Sequence, residues 1–258
     1  MLALERFFTQ METTLKMTDD PILLSEDRDG VRILTLNRPR QMNALSSPLV
    51  VEILAAVDAA HADDSVEVII LAGTERAFSA GADIKEAASR AGESAEAAHQ
   101  REANGRAIYD LGSRTDKPMI AAVRGYVLGG GCNLAIACDM VVAGENAKIG
   151  YPEVKVGLAA TMVTPGLVHR ISPKAAFEML SLGENITAQR AYELGMVNRV
   201  VPDDSVLDEA LVLANGLTKF DNSIVRVTKQ VFLDSTLLDL PKSLDAAQDA
   251  SARYKASK

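Results

Sequence analysis

Apolar and polar positions alternate through Val31-Arg-Ile-Leu-Thr-Leu-Asn37, as in a half-buried strand, and Arg38-Pro39-Arg40-Gln41 ends the run. Leu49, Val50, Ile53, Leu54 and Val57 then recur at helical spacing behind Ser47-Pro48, a cap followed by Pro at the first helical position. Residues 66–72 form a continuous apolar run, which predicts a buried strand stopped by Gly73. Residues 77–86 read as a small-residue loop running into a helix. Residues 87–105 carry Ala, Glu, Arg and Gly with weak periodicity, which predicts an exposed helical segment that returns to helix at 108–111. Lys117-Pro118 opens a strand over Met119–Val123, and a glycine-rich junction leads from there into a helix over 134–138. Two short extended pieces follow at 140–143 and 147–150. Tyr151-Pro152-Glu153-Val154 is a rigid turn, because Pro152 fixes its own φ and restricts Tyr151.

Helices are expected over 162–169 and Pro173–Leu182, then a short one capped by Thr187 and ended by Gly195. A last strand at 197–201 stops at Pro202. Beyond Asp204 the pattern is helical only, with an interruption at Pro241. Strands alternating with helices as far as residue 201, followed by helices alone, predict an α/β fold with a helical C-terminal region. The expected organisation is a disordered extension over 1–16, a core over 17–203 and a helical region over 204–258.

Composition narrows the class. The chain has 258 residues, 48% hydrophobic and 24% charged, as in a soluble globular protein with a sizeable core. A net charge of −8 argues against a general nucleic-acid binder, and no apolar run approaches the roughly 18 residues that span a bilayer. The first sixteen residues lack a signal-peptide apolar region, so the expectation is a cytoplasmic protein without membrane or nucleic-acid partners. Cys132 and Cys138, six apart on one proposed helix, give no disulfide framework and no zinc spacing, and read as small buried hydrophobes. No metal site is expected.

The candidate chemistry starts at Tyr126-Val-Leu-Gly-Gly-Gly-Cys-Asn133, where three glycines join a strand to a helix. Glycine admits a ligand close to the backbone, and amides at a helix start have no partner inside the helix. Such a place can hold developing negative charge.

Ala80-Gly81-Ala82-Asp83-Ile84-Lys85 and Gly125-Tyr126-Val127-Leu128-Gly129-Gly130-Gly131-Cys132 resemble the paired signature segments of the crotonase superfamily, the enoyl-CoA hydratases and isomerases. Asn37-Arg38-Pro39, the segment from Ala135 to Asp139, Pro152-Glu153 and the Ile186-Thr187-Ala188 to Gly195 block fit the same family in order, so the resemblance covers roughly residues 20–255. It implies a spiral of ββα units with a C-terminal helical region that builds trimers, often paired into hexamers. It also implies an acyl-CoA thioester as substrate and no separate cofactor.

By that resemblance, the backbone N–H groups of Ala82 and Gly130 form an oxyanion hole around the thioester oxygen. Ala80, Asp83 and Ile84 lie along the CoA, with Leu128, Gly129, Pro152 and Thr161 also lining the substrate site. Arg38 or Arg40 meets the CoA phosphates, with solvated surface charge as the other reading of both arginines. Lys229, Phe232 and Lys242 are candidates to close the CoA site, against simple surface packing. The family's hydratases carry two glutamates. The second is Glu153, the expected acid/base, while the first position holds Asn133. An amide can orient a water or a substrate hydroxyl but cannot transfer a proton. Asn133 is therefore either a water-orienting member of the catalytic pair or a helix-start residue bonded to backbone. A single base suits Δ3-to-Δ2 enoyl isomerisation, and hydration is open if Asn133 holds the water.

Two rivals differ in class. One is an acyl-CoA-binding protein of this fold with little or no turnover, suggested by Asn133. The other is a dinucleotide-binding oxidoreductase, suggested by Gly129-x-Gly131 with Glu153 downstream, although Leu134 stands where its third glycine belongs.

Overall fold

The computed structural model describes residues 20–90, 92–256 and 258, so the extension expected over residues 1–16 lies outside the described residues. Strand β1 (Leu23–Arg28) pairs antiparallel with β2 (Val31–Leu36). The sequence pattern missed β1 because its residues are mostly exposed and show no alternation. Helix α1 (Ser47–Ala62) buries Leu49, Val50, Ile53, Leu54 and Val57, the stripe expected of it. Its cap is Ser46 rather than Ser47. The Ser47 amide instead donates to Glu86 Oε2 at 2.8 Å, so the helix takes up one residue earlier than its Pro suggests.

The chain then makes successive turns of two strands and a helical stretch. β3 (Val68–Ala72) and β4 (Ala77–Ser79) lead to α2 (Ile84–Ala88) and α3 (Ala95–Ile108). β5 (Met119–Val123) and β6 (Tyr126–Leu128) lead to α4 (Gly130–Ile136). β7 (Met140–Gly144) and β8 (Lys148–Gly150) lead to a 3-10 turn (Pro152–Val156), α5 (Thr164–Val168) and α6 (Pro173–Leu182). The first strand of each turn joins a six-stranded sheet of order β1-β2-β3-β5-β7-β10, parallel from β2 onward. The short second strand joins a smaller sheet, β4-β6-β8-β9, where β9 is Ile186–Thr187. Thr187 caps α7 (Ala188–Glu193), and β10 (Arg199–Val201) closes the large sheet.

Several further expectations need adjustment. Residues 77–79 are a strand, not loop; Leu111–Arg114 is a 3-10 turn after α3 has ended; and Cys138 lies just past α4, although both cysteines are buried and free. Three helices complete the chain: α8 (Val206–Leu217), α9 (Asn222–Leu237) and α10 (Leu240–Ala256). Pro241 opens α10 rather than interrupting a helix. In a first turn its missing N–H removes no helical bond.

Parallel sheets are covered on both faces, and alternation along each strand sorts the side chains. Ile69, Leu71, Met119 and Ala121 join the main core with α1 and α4, while Val68, Ile70, Ile120 and Val142 face Val206, Ala210 and Ala214 of α8. Lys117, fully buried at the start of β5, ties this sheet to α1. Its Nζ donates to the Ala60 and Asp63 carbonyls at 2.7 and 2.6 Å, at the negative end of the α1 dipole. Lys117→Met takes the Nζ donor from both carbonyls and leaves Asp63 O with the Val66 amide alone. It should lower unfolding free energy by about 1–3 kcal/mol, read as a reduced urea midpoint at unchanged slope.

Candidate active site

The Ala82 amide stands apart from its neighbours. The N–H of Ala80 donates to Met42 O (2.9 Å), that of Gly81 to Ser79 Oγ (3.2 Å) and that of Asp83 to Leu45 O (3.4 Å), while the Ala82 N–H has no acceptor among the described residues. Residues 38–45 hold this loop. Buried Asn43 donates to Ala77 O (2.8 Å) and accepts from the Arg38 amide (2.7 Å), and Ser79 Oγ donates to Asn43 O (2.8 Å). Ala82 itself is exposed and lines a cavity.

The glycine junction lies against this loop. Gly81 has φ +89°, and a Cβ there would fall 2.8 Å from Leu128 O and 3.2 Å from the Gly130 nitrogen. Gly129, with φ +52°, donates to Gly150 O (2.8 Å) and turns the chain into α4. Gly130 is the first residue of α4, and its N–H has no acceptor among the described residues. The two unsatisfied donors thus come from adjoining loops, and the approach at Gly81 leaves no room for a methyl group between them.

Glu153 completes the group. The 3-10 turn that Pro152 opens presses its carboxylate onto Gly129, where an added Cβ would meet Oε1 at 2.7 Å. Its Oε2 is buried without a hydrogen-bond partner, and burial raises its pKa above the usual carboxylate range. A half-buried carboxylate with one unpartnered oxygen is suited to accept and return a proton.

Asn133 is 1% exposed and does not reach open space. Its Oδ1 accepts from the Tyr151 hydroxyl at 2.8 Å, and its Nδ2 lies behind Gly166, whose added Cβ would meet it at 2.8 Å. That Nδ2 is buried and unpartnered. Two phenols to which the sequence reading gave no role border this centre. Tyr151 is wholly buried, and burial lifts its pKa well above the ordinary value. Tyr109 places its hydroxyl where an added Gly130 Cβ would meet it at 2.5 Å. Burial and the charge of Glu153 push its pKa up to about 12, so it remains a proton donor. No short motif marks Tyr109; only the fold brings the end of α3 to the glycine junction.

The remaining expected residues scatter around this centre. Arg38 is engaged within the protein: its guanidinium donates to the Ala44 carbonyl and to Asp83 Oδ2 (2.9 Å), and Asp83 in turn caps α2 through the Glu86 amide. Arg40 is exposed, with no ion-pair partner among the described residues, and so is the one of the two free to meet phosphate. Ala80 and Leu128 are half-buried beside the two amides, and Ile84 is exposed on α2. Thr161 is exposed on the turn before α5, next to Met162. Lys229 is no candidate to close a site. It is buried, with Nζ on Asp139 Oδ2 and Lys117 O, both at 2.8 Å.

Two cavities meet at Tyr109. One, of about 120 Å³, runs from Ala82 and Leu45 to Arg90 and Arg101. The other, of about 790 Å³, follows α3 past His99 and Arg106 to Met162. No group of three or more His, Cys, Asp or Glu placed to hold a metal ion is found among the described residues. Among them, too, no helix is long and apolar enough to cross a membrane.

Comparison with known proteins fits this geometry. Residues 26–258 match the enoyl-CoA hydratase/isomerase family. The chain is 37% identical over 223 residues to a 2,3-dehydroadipyl-CoA hydratase of Escherichia coli (strain K12), covering 86% of each. It is 34% identical over 235 residues to a crotonyl-CoA hydratase of Syntrophomonas wolfei, covering 88% of this chain and 87% of the relative. The crystal structure of an enoyl-CoA hydratase from Mycobacterium smegmatis superposes with a TM-score of 0.85 at 33% identity, covering 91% of each chain. The fold is therefore the expected crotonase-like α/β architecture, and the dinucleotide-binding alternative is set aside. With a family match over nearly its whole length and relatives this similar, the chain belongs to the enoyl-CoA hydratase/isomerase family.

Proposed function

We propose that this protein binds an enoyl-CoA thioester with its carbonyl oxygen between the Ala82 and Gly130 amides, and that Glu153 moves the proton. The observation that carries this reading is the half-buried Glu153 carboxylate against Gly129, its Oε2 without a partner, beside two free main-chain donors. In hydration, Glu153 takes a proton from water as the water oxygen attacks Cβ. The electron pair moves onto the thioester oxygen, and Glu153 returns its proton to Cα as the carbonyl re-forms. In Δ3-to-Δ2 isomerisation the proton leaves Cα for Glu153 and returns at Cγ. The named relatives favour hydration. The Asn133 amide, held by Tyr151 where a second carboxylate is expected, favours the single-base isomerisation.

The CoA thioester is the substrate in this reading and no other cofactor takes part. Ala80, Ile84, Leu128, Gly129, Pro152 and Thr161 border it, and Arg40 meets a phosphate. Apolar side chains left exposed on α9 and α10, including Phe232, Leu237, Leu240 and Leu244, support a trimer or a dimer of trimers. The cellular setting proposed is the cytoplasm.

Spectroscopy at the conjugated-enoyl band tests the chemistry. Hydration removes absorbance from crotonyl-CoA, and isomerisation adds it to a 3-enoyl-CoA. The pH profile should follow Glu153. Its base form grows as pH rises, so kcat/KM climbs with unit slope and levels off at a midpoint above the usual carboxylate range. CoA binding with no change in either substrate would instead mark a binding protein without turnover.

A further inference from the structure

The smaller cavity begins at the proposed oxyanion site, with Ala82, Tyr109 and Leu45 on its wall, and passes Val50 and Ile108. An acyl chain would meet apolar surface there. Part of its wall is different in kind: Arg90, Arg101 and Asn104. Arg101 is already neutralised, with Nε and Nη2 on the two Glu93 carboxylate oxygens at 3.1 Å each. Arg90 is not. It has no ion pair among the described residues, and its Nε is buried without any hydrogen-bond partner. Asn104 spends its carbonyl oxygen on Gln100 Nε2 (3.0 Å), which leaves its NH₂ group available as a donor. No Asp or Glu is among the residues that line this cavity, and Glu86 Oε2 accepts from the Ser47 amide at 2.8 Å. A buried guanidinium N–H without an acceptor is costly, and this one points to an acceptor that arrives with the ligand.

We propose that this wall is an acyl-end subsite and that the preferred substrate is a short enoyl-CoA carrying a carboxylate at the far end of its acyl group, received by Arg90 with help from Asn104. The proposal rests on the reading that the thioester sits at Ala82 and Gly130. A guanidinium suits the task because it presents fixed donors to both oxygens of a carboxylate. Length follows from position: Ala82 and Arg90 line the same space of about 120 Å³, so a carboxylate that reaches Arg90 within it ends a tail of a few carbons.

Matched pairs test this. Binding of glutaryl-CoA and of valeryl-CoA is measured by calorimetry. Turnover is measured with pent-2-enedioyl-CoA and hex-2-enedioyl-CoA against pent-2-enoyl-CoA and hex-2-enoyl-CoA. Wild-type protein should favour the carboxylate member on the order of 10–100-fold, the worth of a charge-assisted bidentate contact. Arg90→Met should erase that ratio while leaving valeryl-CoA binding and pent-2-enoyl-CoA turnover within about twofold. Equal affinity for the two wild-type ligands, or a ratio that survives Arg90→Met, overturns the subsite. Loss of all turnover with the binding ratio intact would overturn the proposed reaction and leave the subsite standing.

Discussion

Glu153→Gln is expected to lower kcat by about 10²–10⁴-fold, the usual worth of a positioned general acid–base group, while the Kd for a saturated acyl-CoA changes by less than about threefold. The substitution keeps shape and volume, so the turn opened by Pro152 and the contact with Gly129 persist. What disappears is the carboxylate that lies against Gly129. Asn133 cannot replace it, being buried against Tyr151 and Gly166 and unable to take a proton. Tyr109 cannot replace it as a base either, because its pKa is pushed up to about 12. The variant should also lose the acid limb of the pH profile, since the titrating group is gone. Wild-type turnover by a folded Gln variant would remove Glu153 from the chemistry.

Gly81→Ala should cost nearly as much by a different route. Its φ of +89° disfavours any L side chain, and the added Cβ would fall 2.8 Å from Leu128 O and 3.2 Å from the Gly130 nitrogen. Neither neighbour is the end of a flexible side chain, so relief comes only by parting the two loops. Misplacing one donor of an oxyanion pair typically costs about 10²–10³-fold in rate. The loss should appear in kcat more than in KM, because the donors act most strongly on the charge that develops during reaction. Thermal unfolding run alongside separates this from collapse of the fold. A variant that melts like wild type and retains full kcat would show that the approach of the two loops has no part in catalysis.

Much of the architecture was legible in the chain because local signals and burial agree. The stripe from Leu49 to Val57, the strand at Met119–Val123 and the Thr187 cap all follow from patterns a few residues long. The short strands of the small sheet were harder. β6 is three residues, with only Val127 buried, so no alternation can announce it. The candidate site divides in the same way. Ala82, Gly130 and Glu153 could be singled out because their segments resemble a family motif. Tyr109, Arg90 and the commitment of Arg38 to Asp83 depend on which loops the fold brings together, and nothing adjacent in sequence reports that. The Asn133 amide was visible as a departure from the family, but its bond to Tyr151 was not.

The unsatisfied N–H of Ala82 belongs to the main chain and not to a side chain, and that shapes how the protein can vary. Its neighbours at 80, 81 and 83 are tied off by their own acceptors, so the donor is defined by the path of the loop. Of the twenty coded residues only proline lacks the group. In the proposed site, drift at this position therefore alters what stands beside the thioester far more readily than it silences the donor. On that reading a lineage can retune its choice of acyl group here while the electrostatic grip on the oxygen is inherited unchanged.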